Sequence, residues 1–378
     1  NLNGILKIRF MVNIMNKKIL VLCNHNIVLY NFKKELIKAL KEEGFDIYIS
    51  MPFDNSLNYF ENELKCKCFE TQVDRRGLNP LKDLKLFRKY NHLIKIIKPD
   101  LIFAMTIKPT IYGGICSRIH RINFITNITG IGTTFQNNSL LKKVIISLYK
   151  KALHNCKACF FENEENKKIF LEYGIVNEKQ AITVKGAGVN LNEFRIQPQV
   201  KKDCLVFSFV GRVMKEKGID EFLYCVEKLK AKKDIEFRVY GFCEDDYLKQ
   251  LKKLEKNENF KYYGFVKDMK KVYKESDVIV LPSYHEGMSN VLLEAAACGD
   301  VIITTNIYGC KEAVDNGKTG FLIRKKNKEE LLECIKLISK MNYNDIKEMG
   351  VAAREKMVIE FDREKINQIY LKTINDKF

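Results

Sequence analysis

Short apolar runs alternate with amphipathic helical stretches along almost the whole chain, and this alternation breaks once and then restarts. In the first half, apolar runs stand at 18–23, 46–50, 100–105, 123–127 and 158–162, separated by helical spacing at 32–40, 81–97, 110–119, 139–154 and 163–172. Strands joined by helices predict a parallel sheet covered on both faces, because each crossover must return over the sheet. The pattern restarts at 205–210, continues through runs at 236–240, 262–266, 278–281 and 301–305, and ends in helical spacing at 328–340, 344–359 and 363–375. Between the halves lies Val189 to Asp203, polar, aperiodic and carrying Pro198, which reads as a linker. The fold class is therefore α/β: two doubly wound Rossmann-like domains, 15–195 and 196–360, facing a central cleft, followed by a helix at 361–378. The run Met15-Asn-Lys-Lys-Ile-Leu-Val reads as a natural beginning, so residues 1–14 are read as a non-native or disordered extension outside the fold.

Composition narrows the partners. Of 378 residues, 65 are Lys or Arg and 47 Asp or Glu, a net charge of +18. That balance favours nucleotide phosphates, nucleic acid or an acidic membrane, although a Lys-, Asn- and Ile-rich chain also reflects genomic base composition. The 12 cysteines lie in apolar segments, which suits thiols in a reducing cytoplasm. Cys66-x-Cys68 and Cys156-x-x-Cys159 have no second ligand pair at metal-site spacing, so no metal is expected. No apolar run approaches the ~18 residues of a membrane span. Residues 78–98 combine Leu78, Leu81, Leu84, Leu86, Phe87, Leu93, Ile94 and Ile97 with Lys82, Lys85, Arg88, Lys89, Lys95 and Lys98. Such a helix can lie on an anionic membrane or pack on the sheet with its lysines in water.

The chemistry concentrates in the second half. Ser283-Tyr-His-Glu-Gly-Met-Ser-Asn-Val-Leu-Leu-Glu-Ala follows an apolar strand and turns into a helix near Asn290. A strand, a short loop and a helix N-terminus form an anion site from unpaired backbone N–H groups and the positive dipole end. Glu286 stands ahead of that helix and Glu294 within it, so the two carboxylates reach different parts of one ligand and can accept from hydroxyl pairs. Taken singly, each glutamate could equally be a solvated surface residue. Gly211-Arg-Val-Met-Lys-Glu-Lys-Gly218 follows the strand at 205–210. Gly211 allows a tight turn, Arg212 offers a planar fork for phosphate oxygens and Lys217 a point charge. A phosphate flanked by polyhydroxylated groups is the ligand implied. There is no G-x-x-x-x-G-K-[ST] run and no G-x-G-x-x-G after the first strand, which disfavours a Walker-type ATPase and a dehydrogenase. Gly130 and Gly132 follow the strand at 123–127, where they form an ordinary turn or let a substrate approach the backbone.

These motifs resemble the GT-B retaining glycosyltransferases of the family-four group. The E-x7-E signature is carried by Glu286 and Glu294, the G-R-x4-K-G signature by Arg212 and Lys217, and Gly309-Cys-Lys-Glu-Ala-Val-Asp-Asn-Gly-Lys-Thr-Gly-Phe-Leu is similar to the same group. The resemblance implies that Arg212 and Lys217 hold a donor diphosphate and that Glu294 binds the nucleotide ribose. It places Glu286 on the donor sugar, the backbone of Gly287, Met288, Ser289 and Asn290 on sugar and phosphate, and Gly264, Phe265 and Val266 beside the base. It implies a C-terminal helix crossing back to the first domain, no metal or other cofactor, a nucleotide sugar (UDP-linked) as co-substrate, and retention by a front-face route. Thr106-Ile-Lys-Pro-Thr-Ile-Tyr-Gly-Gly and Ile128-Thr-Gly-Ile-Gly-Thr-Thr-Phe resemble a subgroup acting on lipid-linked saccharides, among them bacterial transferases of N-acetylgalactosamine to a diphospho-undecaprenol-linked sugar. His25, Lys108, Gly130 and Gly132 are the acceptor-side candidates. Many relatives have a histidine where this chain has Met105-Thr106. The implied enzyme is a hexosyltransferase of polysaccharide or glycan assembly, cytoplasmic and peripheral on the inner face of the plasma membrane, with no nucleic-acid partner.

Three rivals remain: a nucleotide-sugar epimerase of the same fold, a basic nucleic-acid-binding protein, and a non-catalytic GT-B partner subunit. The aromatics are not interleaved with basic residues as in RNA-binding motifs, and the intact Arg212, Lys217, Glu286 and Glu294 argue against a non-catalytic partner.

Overall fold

The computed structural model describes residues 17–74, 79–131, 140–197, 203–243 and 247–377. The chain divides into two compact units, residues 1–187 with 364–378, and residues 188–363. The expected extension at 1–14, Gly132 and Leu78 lie outside the described residues.

The first unit is built on seven parallel strands: β1 (Lys18–Leu22), β2 (Asp46–Met51), β3 (Lys67–Glu70), β4 (Leu101–Met105), β5 (Asn123–Ile128), β6 (Ala158–Phe161) and β7 (Ala181–Thr183). Their order is β3-β2-β1-β4-β5-β6-β7. The central strands are buried on both faces, which is why they read as unbroken apolar runs. Helices α1 (Asn26–Glu42), α2 (Pro80–Ile97), α3 (Ile107–His120), α4 (Leu140–Leu153) and α5 (Glu164–Glu172) make the crossovers.

Helix α2 answers the question left by its sequence. Asn79 caps it, its side-chain oxygen accepting from the Leu81 and Lys82 N–H groups, and Pro80 occupies the first helical position, where its missing N–H costs nothing. Leu86, Tyr90, Leu93, Ile94 and Ile97 pack into the core. Leu81 and Leu84 stay in solvent, 72% and 44% exposed. One part of the apolar stripe packs on the sheet and the N-terminal part does not.

The second unit is a six-stranded parallel sheet of β8 (Leu205–Val210), β9 (Ile235–Tyr240), β10 (Phe260–Gly264), β11 (Val278–Leu281), β12 (Val301–Thr305) and β13 (Gly320–Ile323), in the order β10-β9-β8-β11-β12-β13. It is covered by α6 (Ile219–Lys228), α7 (Tyr247–Leu254), α8 (Met269–Glu275), α9 (Asn290–Cys298), α10 (Lys328–Ser339) and α11 (Tyr343–Glu360). The strand expected at 262–266 runs instead over Phe260–Gly264, leaving Phe265 and Val266 in the following loop. Gly264 takes a left-handed conformation (φ +64°) that ends the strand there.

The last helix, α12 (Arg363–Lys377), belongs to the first unit. Its Tyr370 ring lies 4.2 Å from Phe160 and 6.1 Å from Phe103, between centroids, and Ile366, Leu371 and Ile374 join the same core. The Tyr370 hydroxyl accepts from buried Lys33 Nζ (2.9 Å) and donates to Asn127 Oδ1 (2.9 Å), and Asn127 Nδ2 donates to Glu162 Oε1 (3.2 Å). This buried network fixes α12 against α1, β5 and β6.

Candidate active site

In a doubly wound sheet, ligands gather at the carboxyl edge where the strand order reverses. In the second unit β8 comes first in the chain, and its neighbours β9 and β11 lie on either side of it. The loops after β8 and β11 therefore flank the switch point, and these are the loops carrying Arg212, Lys217 and Glu286.

Backbone contact holds the two loops together. Gly218 sits at φ +78°, and a Cβ there would stand 2.2 Å from the Pro282 carbonyl oxygen. The Tyr284 N–H donates to the Glu216 carbonyl (2.8 Å), and the Tyr284 hydroxyl to Glu221 Oε1 on α6 (2.7 Å). Burial and the Glu221 carboxylate push the Tyr284 phenol up, so it remains the donor of that bond.

Lys217 Nζ pairs with Glu286 Oε1 at 2.5 Å, the two side chains 19% and 12% exposed. The same Glu286 oxygen accepts from the Ser283 hydroxyl (2.8 Å). Ser283 is buried, and its carbonyl accepts from Thr305 Oγ1 (2.6 Å), which anchors the loop to β12. Arg212 lies exposed on the same loop as Lys217. Arg212, Lys217 and Glu286 thus line one edge of the sheet.

Residues 287–290 lead into α9. Gly309 (φ +84°) presses on this turn: a Cβ there would meet the Gly287 carbonyl oxygen at 2.6 Å, and the Gly309 carbonyl accepts from the Ser289 N–H (2.8 Å). Met288 points into the core, so only its backbone faces the site. Ser289 is the N-cap residue, yet its side chain makes no capping bond among the described residues. The first-turn N–H groups of α9 are not consumed by a side-chain cap, which suits an anion. Asn290 Oδ1 is buried without a hydrogen-bond partner among the described residues, an acceptor at the same turn.

Glu294 lies one turn into α9 and accepts from the Tyr273 hydroxyl of α8 (2.9 Å). Desolvation pushes its carboxyl up to about 7, while the Tyr273 hydrogen bond and Arg363 pull it down and Glu193 pushes it up further. Further donors to this desolvated carboxylate would favour its charged form. Beyond β9 and β10, Phe242 and Phe265 stack in solvent, 59% and 60% exposed, with centroids 4.4 Å apart and planes 8° off parallel. Sequence reasoning named Phe265 as a candidate and did not name Phe242, which follows Gly241 at the end of β9 just as Phe265 follows Gly264. It also missed Tyr273, whose only sign was the apolar face of a short helix.

The acceptor-side candidates belong to the first unit. There β1 lies between β2 and β4, so the loops after β1 and β4 flank that sheet's switch point. His25 is in the first loop and Lys108 opens α3 after the second. Lys108 Nζ is paired with Asp83 Oδ1 of α2 (2.6 Å). Thr106, just before α3, is held at φ +71°, a strained conformation for a β-branched residue. Among the described residues a Cβ on Gly130 would meet nothing within 4 Å. His120 lies at the far end of α3 against Asn91, and His285 is exposed beside Glu286. Among the described residues no group of three or more His, Cys, Asp or Glu side chains could hold a metal ion, and no helix is long and apolar enough to cross a membrane.

Residues 191–356 match the family model for glycosyl transferases group 1, and residues 18–163 that for glycosyl transferase 4-like proteins. The chain is 28% identical over 367 residues to the N,N'-diacetylbacillosaminyl-diphospho-undecaprenol alpha-1,3-N-acetylgalactosaminyltransferase of Campylobacter jejuni, covering 91% of this chain and 94% of the relative. It is 25% identical over 365 residues to the UDP-Gal:alpha-D-GlcNAc-diphosphoundecaprenol alpha-1,3-galactosyltransferase of Escherichia coli, covering 90% and 92%. The crystal structure of Anabaena Alr3699/HepE in complex with UDP and glucose superposes with a TM-score of 0.78 at 18% identity, over 96% of this chain and 100% of that one. Both sheets, both family matches and the end-to-end likeness lead to one assignment: the chain belongs to the GT-B glycosyltransferases, with a 4-like domain in its first half and a group 1 domain in its second.

Proposed function

We propose that the protein is a retaining, metal-independent hexosyltransferase. It moves a sugar, N-acetylgalactosamine or another hexose, from a UDP-linked donor to a saccharide carried on diphospho-undecaprenol, in polysaccharide or glycan assembly. The observation that carries this reading is the junction of the 211–218 and 282–290 loops, where Lys217, Glu286 and the N-terminus of α9 share one sheet edge.

In this reading the donor diphosphate lies between Arg212, Lys217 and the first turn of α9. The Lys217 ammonium turns from Glu286 to the phosphates, and Glu286 accepts hydroxyls of the donor sugar. Glu294 takes the ribose hydroxyl pair, and Phe265 and Val266 border the base. The acceptor hydroxyl forms its bond to the anomeric carbon on the face from which the diphosphate leaves, and its proton passes to a diphosphate oxygen. The charge growing on the leaving diphosphate meets two cations and a helix dipole, the role a metal plays elsewhere. Support for retention comes from the names of the two relatives, which specify α linkages formed, in the second, from UDP-galactose. Support for the acceptor comes from the same names and from the exposed N-terminal turn of α2, which suits peripheral contact with an anionic membrane.

The test is transfer in detergent from a panel of UDP- and GDP-sugars to a diphosphoundecaprenyl-linked saccharide, with and without a chelator, the product's anomeric configuration being read by NMR. An α-linked product from one UDP-sugar, undiminished by chelator, is expected. Release of an epimerised sugar nucleotide without acceptor, or turnover that disappears with chelator, would overturn the reading.

A further inference from the structure

The two oxygens of the Glu294 carboxyl are not equivalent. The Tyr273 hydroxyl donates to Oε2 (2.9 Å), and Oε1 has no hydrogen-bond partner among the described residues. Glu294 is partly exposed, so Oε1 is the oxygen left to meet solvent or a ligand. Tyr273 is itself fully buried, its ring centroid 6.0 Å from that of Phe194. Burial and the Glu294 charge push its phenol well up, so the hydroxyl keeps its proton and remains the donor.

Helix α8 keeps Tyr273 in place independently of Glu294. Ser276, just past the end of that helix, is buried. Its Oγ donates to the Val272 carbonyl (2.7 Å) and shares a hydrogen bond with Ser208 Oγ of β8 (2.7 Å). The Ser276 N–H donates to the Tyr273 carbonyl (3.2 Å). A hydroxyl fixed in this way, bonded to one carboxylate oxygen, selects the carboxylate's orientation and leaves the other oxygen free to accept. The other charged or titratable neighbours come from different segments. Arg363, the last residue of the second unit, favours the charged form of Glu294, and Glu193, ahead of β8, disfavours it. Cys298, one turn further along α9, feels the charges of both Glu294 and Asp300.

We propose that Tyr273 is a positioning residue for nucleoside recognition: it holds Glu294 with Oε1 turned to the hydroxyl pair of the donor's ribose, and so sets the preference for a ribonucleotide over one lacking those hydroxyls. The inference rests on the ribose role given to Glu294 in the preceding reading and names the residue that makes that role selective.

The test is calorimetric titration of the full chain with UDP and with 2′,3′-dideoxy-UDP, for the wild type, Tyr273→Phe and Lys217→Ala. The range runs from about pH 6 to about pH 9, which brackets the Glu294 value of about 7. The ratio of the two affinities cancels the titration of the diphosphate, which both compounds share. The wild type should prefer UDP by at least ~tenfold, as for charge-assisted hydrogen bonds to a carboxylate. That preference should grow with pH, because hydroxyl donors favour the charged form of Glu294. In Tyr273→Phe, UDP should weaken by ~tenfold near neutrality while the dideoxy compound, the measure of an intact fold, binds as before. Loss of the phenol's hydrogen bond removes a group that favours the carboxylate. The midpoint of the preference against pH should therefore move up, with recovery toward the alkaline end. Equal weakening of both compounds, or an unchanged preference in Tyr273→Phe, would overturn the proposal and leave the donor reading standing. Equal binding of the two compounds by the wild type, undiminished in Lys217→Ala, would overturn the donor reading and this inference with it.

Discussion

Gly218 Cα and the Pro282 carbonyl are so close that a Cβ on Gly218 would stand 2.2 Å from the carbonyl oxygen. This contact joins the Arg212–Lys217 loop to the loop that carries Glu286. Gly218→Ala combines a left-handed backbone with a collision that no side-chain rotation relieves, a loss of about 2–4 kcal/mol. A lowered Tm together with loss of transfer is expected from thermal unfolding and activity assays. Near-normal values for both would mean that the loops need not touch.

Lys217→Ala leaves Glu286 with the Ser283 hydroxyl as its remaining partner in this pair of contacts. The proposed leaving-group role gives a fall in kcat of about 10²–10³. The circular dichroism spectrum should be unchanged, because the Tyr284–Glu216 hydrogen bond and the Gly218–Pro282 contact still join the two loops. Lys217→Arg should recover only part, since a planar fork replaces a point charge. A change confined to KM would assign Lys217 to ground-state binding.

Glu294 gives a pH signature. Its folded-state carboxyl is raised to about 7, chiefly by desolvation, above the usual ~4.3 of an unfolded glutamate. Between these values the native state holds the extra proton, so stability from this group falls as pH rises, and the cost is fully present above the folded value. Glu294→Gln should therefore stabilise the ligand-free protein by roughly 1–3 kcal/mol at pH 8 and little at pH 4. Ribose hydroxyls donating to the carboxylate would pull its pKa down, so UDP binding near neutrality should release a proton. Calorimetry in buffers of different ionisation enthalpy reads that proton, and it should vanish in Glu294→Gln.

The Lys33–Tyr370–Asn127–Glu162 network gives a stability prediction in the first unit. Burial raises the Glu162 carboxyl, and Lys33 is the charge that counters this. Lys33→Met should cost about 3–5 kcal/mol by leaving a buried carboxylate without its counter-charge. The loss should grow with pH, because removing Lys33 raises the Glu162 pKa further and the unfolded chain then holds fewer protons than the native one. Tyr370→Phe should cost about 1–3 kcal/mol. Urea unfolding at two pH values measures both.

The sequence made the interior strands legible and the edges less so. β1, β4, β5, β8, β11 and β12 are apolar on both faces and stand out as runs. β3, β7 and β13 went unread because each is a four-residue or three-residue edge strand with partly exposed positions. The candidate site was legible where its residues share a short stretch, as Glu286, Ser289 and Glu294 do. It was not where the partner comes from elsewhere in the chain. Nothing in the run around Met269 announces that Tyr273 reaches Glu294, nor does Phe242 announce its stack on Phe265. The helical spacing at 32–40 assigned nothing to Lys33, and only the docking of α12, some 337 residues along, buries it against Tyr370.

The most direct measurement is thermal stability against UDP, GDP and their sugars, for the wild type and Lys217→Ala. A ligand bound only by the folded state adds about 2.7 kcal/mol at a concentration about a hundredfold above Kd. The expected result is a rise of several degrees with UDP and one UDP-sugar in the wild type and almost none in Lys217→Ala. No rise with any nucleotide, or an equal rise in both proteins, would contradict a donor site at the 211–218 and 282–290 loops.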